Sequence, residues 1–197
     1  MLDLVYPVDV APVIGEPVSP ARRRSGGRTL EELPVVDNTG LVIARATRKH
    51  CHTSPDKPLH PVVHMHIIDR FSNVLLQKRA ADKDLFPGLW DTAVGGHVTY
   101  GESLEEALFR EAAEELSFKD FNPRHLLTYI WESETQRELV SVYAAITSIR
   151  PTPDNEEVQE AKFWTDAEIM QAIGTGVLTP DFEDEYKMIK DSLFALL

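Results

Sequence analysis

A carboxylate-rich segment behind a glycine loop constrains this chain more than any other stretch. Residues 96–118 open on Gly96, pass Gly101, and run through Glu102, Ser103, Glu106, Arg110, Glu111, Glu114 and Glu115. Ser103 followed three residues later by Glu106, ahead of an apolar series, is a capping-box pattern and predicts a helix start. At about 100° per residue, Leu104, Leu108, Ala112 and Leu116 fall on one stripe. Glu115 projects between Leu104 and Leu108 on that wheel and Glu111 lies at its edge, so both carboxylates are predicted to face the protein body. Arg110, at i, i+4 from Glu114, relieves part of the crowding. A buried carboxylate has to be paired, protonated or bound to a cation. Clustered hard oxygens are the ligands that Mg2+ or Mn2+ takes. Without their flanks, the same residues also describe a solvated acidic helix.

The chain has 197 residues, with 43% hydrophobic and 26% charged side chains, ordinary values for one globular domain. Its formal net charge of −12 argues against a general binder of nucleic acid or of anionic membrane surfaces. It also means that an anionic substrate needs local cations to attract it. The single cysteine, Cys51, excludes an intrachain disulfide framework and agrees with a reducing, cytoplasmic setting. No apolar run is long enough to span a bilayer, and no signal-peptide pattern opens the chain.

Residues 1–30, with Pro7, Pro12, Pro17, Pro20 and the basic Arg22–Arg24, read as an extended arm ahead of a domain over 31–197. An arm of this length can reach a second copy, which leaves a homodimer open. Strands are expected over 32–37 and 41–46, joined by the Asn38-Thr39-Gly40 turn. A polar, histidine-bearing loop over 48–60 follows. A second hairpin pairs 62–68 with 74–79 and places His64 and His66 on one face as structural histidines. A third hairpin pairs 125–131 with 138–146. Residues 162–165 form a short strand. Thr165 with Glu168 opens a helix to about residue 173, and Thr179 with Pro180 opens a last amphipathic helix. No internal repeat is apparent. This order suits an α/β/α sandwich with a mixed β-sheet.

The spacing Gly96, five residues, Glu102, seven residues, Arg110-Glu111, two residues, Glu114-Glu115 resembles the Nudix box, in which a glycine, an arginine and four glutamates are fixed. Two positions depart from it: Ala112 is small for a bulky aliphatic site, and Ser117 stands where a glycine normally ends the helix. Beyond the box, Leu75–Ala80, Lys83, Pro87–Trp90 and the Gly96-His97 pair are similar to the isopentenyl-diphosphate isomerase branch of the Nudix superfamily. In those isomerases a cysteine ahead of the Gly-His pair does proton chemistry. By this match Gly95 holds its place, and a glycine offers no side chain for proton transfer. The resemblance also implies a second metal site, matching His97, with His52 and His60 as the nearest partners. It implies an acting glutamate on the strand after the box helix, at Glu138.

The resemblance implies a hydrolase that cleaves a diphosphate linkage in a nucleoside diphosphate joined to another moiety, or in a related small molecule. Gly96, Glu111, Glu114 and Glu115 would hold Mg2+ or Mn2+. Arg79 and Lys83 would grip the phosphates. Glu114, Glu115, Glu138 or an acid within Glu156–Glu160 would handle the proton. Two other readings stay open: isomerisation of an isoprenoid diphosphate, and a regulator that binds diphosphates without turnover.

Overall fold

The computed structural model describes residues 4–6, 14, 31–82, 85–153 and 158–197. Most of the expected arm therefore lies outside the described residues, as do Lys83 and the Glu156-Glu157 pair. Two compact units divide the chain. Unit 1 comprises Met1–Val63, His97–Ala107 and Thr128–Ser141; unit 2 comprises His64–Gly96, Leu108–Leu127 and Val142–Leu197.

The elements follow the sequence pattern closely. Strands β1 (Glu32–Val36) and β2 (Val42–Thr47) pair antiparallel in a two-stranded sheet. Their turn is tied by Asp37, whose Oδ1 accepts from the Thr39 and Leu41 amides. Helix α1 (Arg48–Thr53) follows, then β3 (His60–Asp69), β4 (Val74–Arg79), β5 (Trp90–Asp91) and β6 (Val94–His97). Helix α2 (Leu104–Leu116) carries the box, and β7 (Arg124–Glu132), β8 (Arg137–Thr147) and β9 (Val158–Trp164) follow. Helices α3 (Asp166–Ala172) and α4 (Pro180–Phe194) close the chain. The larger sheet has the order β5-β4-β3-β8-β7, with β6 beside β3 and β9 beside β4. This is the α/β class with a mixed sheet that the element order predicts. Among the described residues no helix is long and apolar enough to cross a membrane.

Two readings of the sequence are corrected, and two short strands carry no signal in it. The loop expected over 48–60 begins as helix α1, N-capped by Thr47, whose hydroxyl accepts from the His50 amide. Six residues with a single buried side chain, Cys51, leave no apolar period to detect. The strand expected over 162–165 starts earlier, at Val158, because it pairs with β4 from Val74↔Trp164 to Arg79↔Val158. Strands β5 and β6, two and four residues long, carry no alternation of their own.

Within unit 1, Val36, Val42, Leu59 and Leu139 form one apolar cluster, against which Leu4, Tyr6 and Tyr100 pack. Leu33, Val35, Ala44, Ala46 and Cys51 form another, joined by Ile14. The few described residues of the arm are tied here: Val42 donates its amide to Val5 O at 2.8 Å, and Ile14 donates its own to Arg45 O at 2.9 Å. Burial pushes the Cys51 thiol up to about 12, so it is an inert core group.

Within unit 2, Met65, Ile67, Leu75, Leu108, Leu116, Ile169, Phe182, Tyr186, Ile189 and Leu193 are all buried. The capping boxes read from the sequence are present at both helix starts: the Ser103 amide donates to Glu106 and the Glu106 amide to Ser103 Oγ, and Thr165 and Glu168 do the same. Helix α2 ends at Ser117, which takes φ +49°. Its amide donates to Ala113 O and that of Phe118 to Ala112 O. Serine thus adopts the left-handed conformation that glycine normally supplies, at a cost of about 1 kcal/mol for its Cβ.

Candidate active site

In unit 2 the box carboxylates separate by burial as the helical wheel requires. Glu115 is 7% exposed. Its Oε2 accepts from the Gly95 amide at 3.2 Å and from Gln77 Nε2 at 3.4 Å. The Glu111 side chain is also largely covered, and Arg110 Nη1 donates to its Oε1 at 2.7 Å. Glu114 turns to solvent and meets the same guanidinium at 3.5 Å. Arg110 therefore orients two carboxylates at once. Gly96 makes room for Glu111: a Cβ at that position would overlap the Glu111 carboxylate, which would have to move aside. Two largely covered carboxylates, Glu111 and Glu115, thus stand against the Gly95-Gly96 backbone, and carboxylate oxygens are the donor type that a small hard cation takes.

Arg79, expected to grip phosphate, is anchored from two directions. Its Nη1 donates to Asp91 Oδ2 and its Nε to Leu85 O, each at 3.1 Å. Asp91 in turn accepts from the Thr92 amide at 2.8 Å and from Thr179 Oγ1 at 3.0 Å. The guanidinium is therefore a fixed cation. Nearby Asp181 is pushed up to about 6, first by burial and then by the Asp91 charge, with His64 pulling the other way.

His64 and His66 do share a face of β3, and both reach Glu185 on α4, at 2.9 and 2.6 Å. Burial opposes a charge on His64, but the Glu185 carboxylate outweighs it and pushes the imidazole up to about 10. Burial likewise opposes the charge on Glu185, which the two histidines overcome, holding it well below the usual carboxylate range. Glu185 belongs to no motif in the sequence. A signal was available, because this acid sits on the apolar stripe of α4 with Phe182, Tyr186, Ile189 and Leu193.

Unit 1 holds a second cluster. His52 on α1, His60 at the start of β3, His97 at the end of β6 and Glu138 on β8 bring one ligand atom each within 4.8 Å of one another. The His52 and His97 Nε2 atoms stand 2.9 Å apart. The His60 and His97 rings are stacked at 5.5 Å. Pro58 O fixes His60 Nδ1 at 2.9 Å, which directs Nε2 into the cluster. There Nε2 makes no hydrogen bond among the described residues and lies 3.8 Å from Glu138 Oε1. Burial, reinforced by the His52 and Arg48 charges, lowers His60 to about 4, so it is a neutral imidazole with a free lone pair near neutral pH. Three imidazoles and a carboxylate are a donor set for a divalent transition metal such as Mn2+ or Zn2+. The buried, unbonded Nε2 of His60 fits that use. The structure thus brings His52, His60 and His97 together and adds Glu138 as a fourth member. Gln136 also enters here: it is buried and its Nε2 donates to Glu138 Oε1 at 3.0 Å, a contact of the kind that orients a ligating carboxylate.

The NUDIX domain profile matches residues 58–191. An isopentenyl-diphosphate Delta-isomerase of Leifsonia xyli is 31% identical over 147 residues, 69% of this chain and 77% of that protein. An uncharacterized Nudix hydrolase of Streptomyces coelicolor is 30% identical over 162 residues, 81% of this chain and 88% of that one. Among solved structures, DR0079 from Deinococcus radiodurans is similar with a TM-score of 0.69 and 24% identity, over 80% of this chain and 98% of that one. The NUDIX domain of Shewanella oneidensis NrtR, complexed with ADP ribose, gives a TM-score of 0.57 at 23% identity, over 68% and 87%. At such identities the two structures speak to the fold alone. The inward carboxylates around Gly96, the matched profile and the named relatives agree: the chain belongs to the Nudix family and is similar to its isopentenyl-diphosphate isomerase-like branch.

Proposed function

We propose that this protein is a metal-dependent hydrolase that cleaves a diphosphate linkage in a nucleoside diphosphate joined to another moiety, or in a related small molecule. The observation that carries the reading is the placement of Glu111 and Glu115 around Gly95 and Gly96, within a complete set of charged box residues. Glu111, Glu115 and Gly96, with Glu114 on the solvent side, would hold a divalent cation, Mg2+ or Mn2+, which would supply neutralisation of the diphosphate and activation of the attacking water. Gln77 and the Gly95 amide hold the Glu115 carboxylate in place. Arg110 orients Glu111 and Glu114. Arg79, fixed by Asp91, offers a cation to the phosphates, and Lys83 is assigned the same task. Glu114 or Glu115 accepts the proton of the attacking water.

The test is a screen of nucleoside diphosphate sugars, dinucleotides, nucleoside triphosphates and isoprenoid diphosphates, with and without Mg2+ or Mn2+. Release of phosphate or a nucleoside monophosphate only with the cation is expected. Full activity in Glu115→Gln rejects the assignment.

The cluster of His52, His60, His97 and Glu138 favours a second reading, isomerisation of a short isoprenoid diphosphate, the reaction for which the Leifsonia relative is named. Gly95 weighs against it, because that position carries no group able to move a proton. Deuterium incorporation from heavy water into isopentenyl diphosphate decides between the two.

A further inference from the structure

Unit 2 contains a histidine that the box does not include and that core packing does not account for. His64 donates its Nδ1–H to Glu185 Oε2 at 2.9 Å, and His66 donates its Nε2–H to Oε1 at 2.6 Å. Glu185 and His66 have wholly buried side chains, whereas that of His64 keeps 13% of its surface open. Joining α4 to β3 explains the buried pair. It does not explain a charged ring that reaches the surface.

The free side of that ring is defined by Gly95. A Cβ built there would lie 3.4 Å from His64 Cδ2 and 3.7 Å from Nε2. The Cδ2–Nε2 edge thus faces the space that a side chain at 95 would fill, beside Thr92 Cγ2 at 3.5 Å from the same Cβ position. The Gly95 amide donates to the buried box carboxylate Glu115. One residue therefore has the imidazole edge on its side-chain direction and the metal-ligating glutamate on its amide.

We propose that His64 is a further substrate-binding residue of this site: fixed at Nδ1 by Glu185, it donates Nε2–H across Gly95 to a phosphoryl oxygen of the diphosphate. Glu185 acts through it as a positioning residue. The inference rests on the hydrolase reading of the box and deepens it by naming a donor that β3 supplies. The Glu185 charge keeps both ring protons in place near neutral pH.

The experiment uses the full chain with 15N-labelled histidine, Mg2+ and inorganic diphosphate as the probe. The His64 Nε2–H signal, assigned by its loss in His64→Gln, is expected to shift on addition of diphosphate. His64→Gln is expected to weaken diphosphate binding by roughly ten- to a hundredfold, the range for a hydrogen bond to a charged group. Gly95→Ala adds one methyl at ordinary contact distance from the ring, keeps the fold, and is expected to weaken binding by covering the edge. In Glu185→Gln the ring is no longer held, and its response to diphosphate is expected to diminish. An unmoved His64 signal at millimolar diphosphate overturns the proposal, as does unweakened binding in both His64→Gln and Gly95→Ala. A shifted signal without turnover of any diphosphate sinks the hydrolase reading and leaves this contact standing. Turnover with an unmoved signal does the reverse.

Discussion

Glu111 lies so close over Gly96 that a Cβ at that glycine would overlap its carboxylate. The glycine of the box therefore leaves the space that the side chain opposite it occupies. Gly96→Ala is expected to displace the end of the Glu111 side chain with little change in stability, and to lower metal-dependent turnover at least about tenfold. Thermal melting and hydrolysis assays on the same preparation separate the two effects.

Glu115 gives a cleaner dissection of charge from shape. Gln fills the same volume, so Glu115→Gln is expected to melt within a few degrees of the parent without metal. Mg2+, which carboxylates favour and the imidazole cluster of unit 1 does not, at a hundred times its dissociation constant stabilises the parent by about 2.7 kcal/mol. That rise is expected to vanish in the variant. A metal-induced shift of undiminished size would remove Glu115 from the ligand set.

The histidine cluster of unit 1 is expected to bind Mn2+ or Zn2+ independently of the box. His60→Ala and His97→Ala each remove one of the four ligand atoms that stand within 4.8 Å of one another. Each is expected to cut the affinity by at least about tenfold, while Glu115→Gln leaves it unchanged. Metal titration of the three variants by calorimetry tests this.

The His64–Glu185 pair predicts a pH signature of stability. His64 is raised from 6.5 to about 10, so its contribution is full below 6.5 and fades as pH climbs toward 10. Glu185 is lowered from 4.5, so its contribution is full above 4.5 and fades as pH falls. The stability lost in Glu185→Gln should therefore be largest between those two ordinary values and shrink in alkali. Urea melts at about pH 5.5 and about pH 9 give the comparison. An equal loss at both would show that the pair is not ionised in the fold.

Ser117 holds φ +49° at the end of α2. Ser117→Gly relieves the Cβ and restores the family residue. It is expected to stabilise the protein by up to about 1 kcal/mol, seen as a rise of a few degrees in Tm with unchanged activity.

Much of this was legible in the sequence because it was local. The Ser103–Glu106 and Thr165–Glu168 boxes, the inward turn of Glu111 and Glu115, and the shared face of His64 and His66 each follow from spacing within one element. The role of Glu185 was half legible: an acid on an apolar stripe announces a buried partner without naming it. The cluster of His52, His60, His97 and Glu138 was carried only by family likeness, since it joins four elements and depends on α1, a helix too short to show a period. Arg79 was read as a grip for phosphates, and nothing near it in sequence betrayed the anchoring by Asp91 on a two-residue strand.

Strand β6 has four residues, and its last three are each committed elsewhere: Gly95 to Glu115 and the His64 edge, Gly96 to Glu111, His97 to His52. Adding or removing one residue would misdirect all three together. Relatives can therefore diverge here only by replacement in place. At Gly95 the first carbon of such a replacement meets ordinary contacts with His64 and Thr92. One codon can introduce a proton-carrying group there and leave the residues on either side in the sequence unchanged.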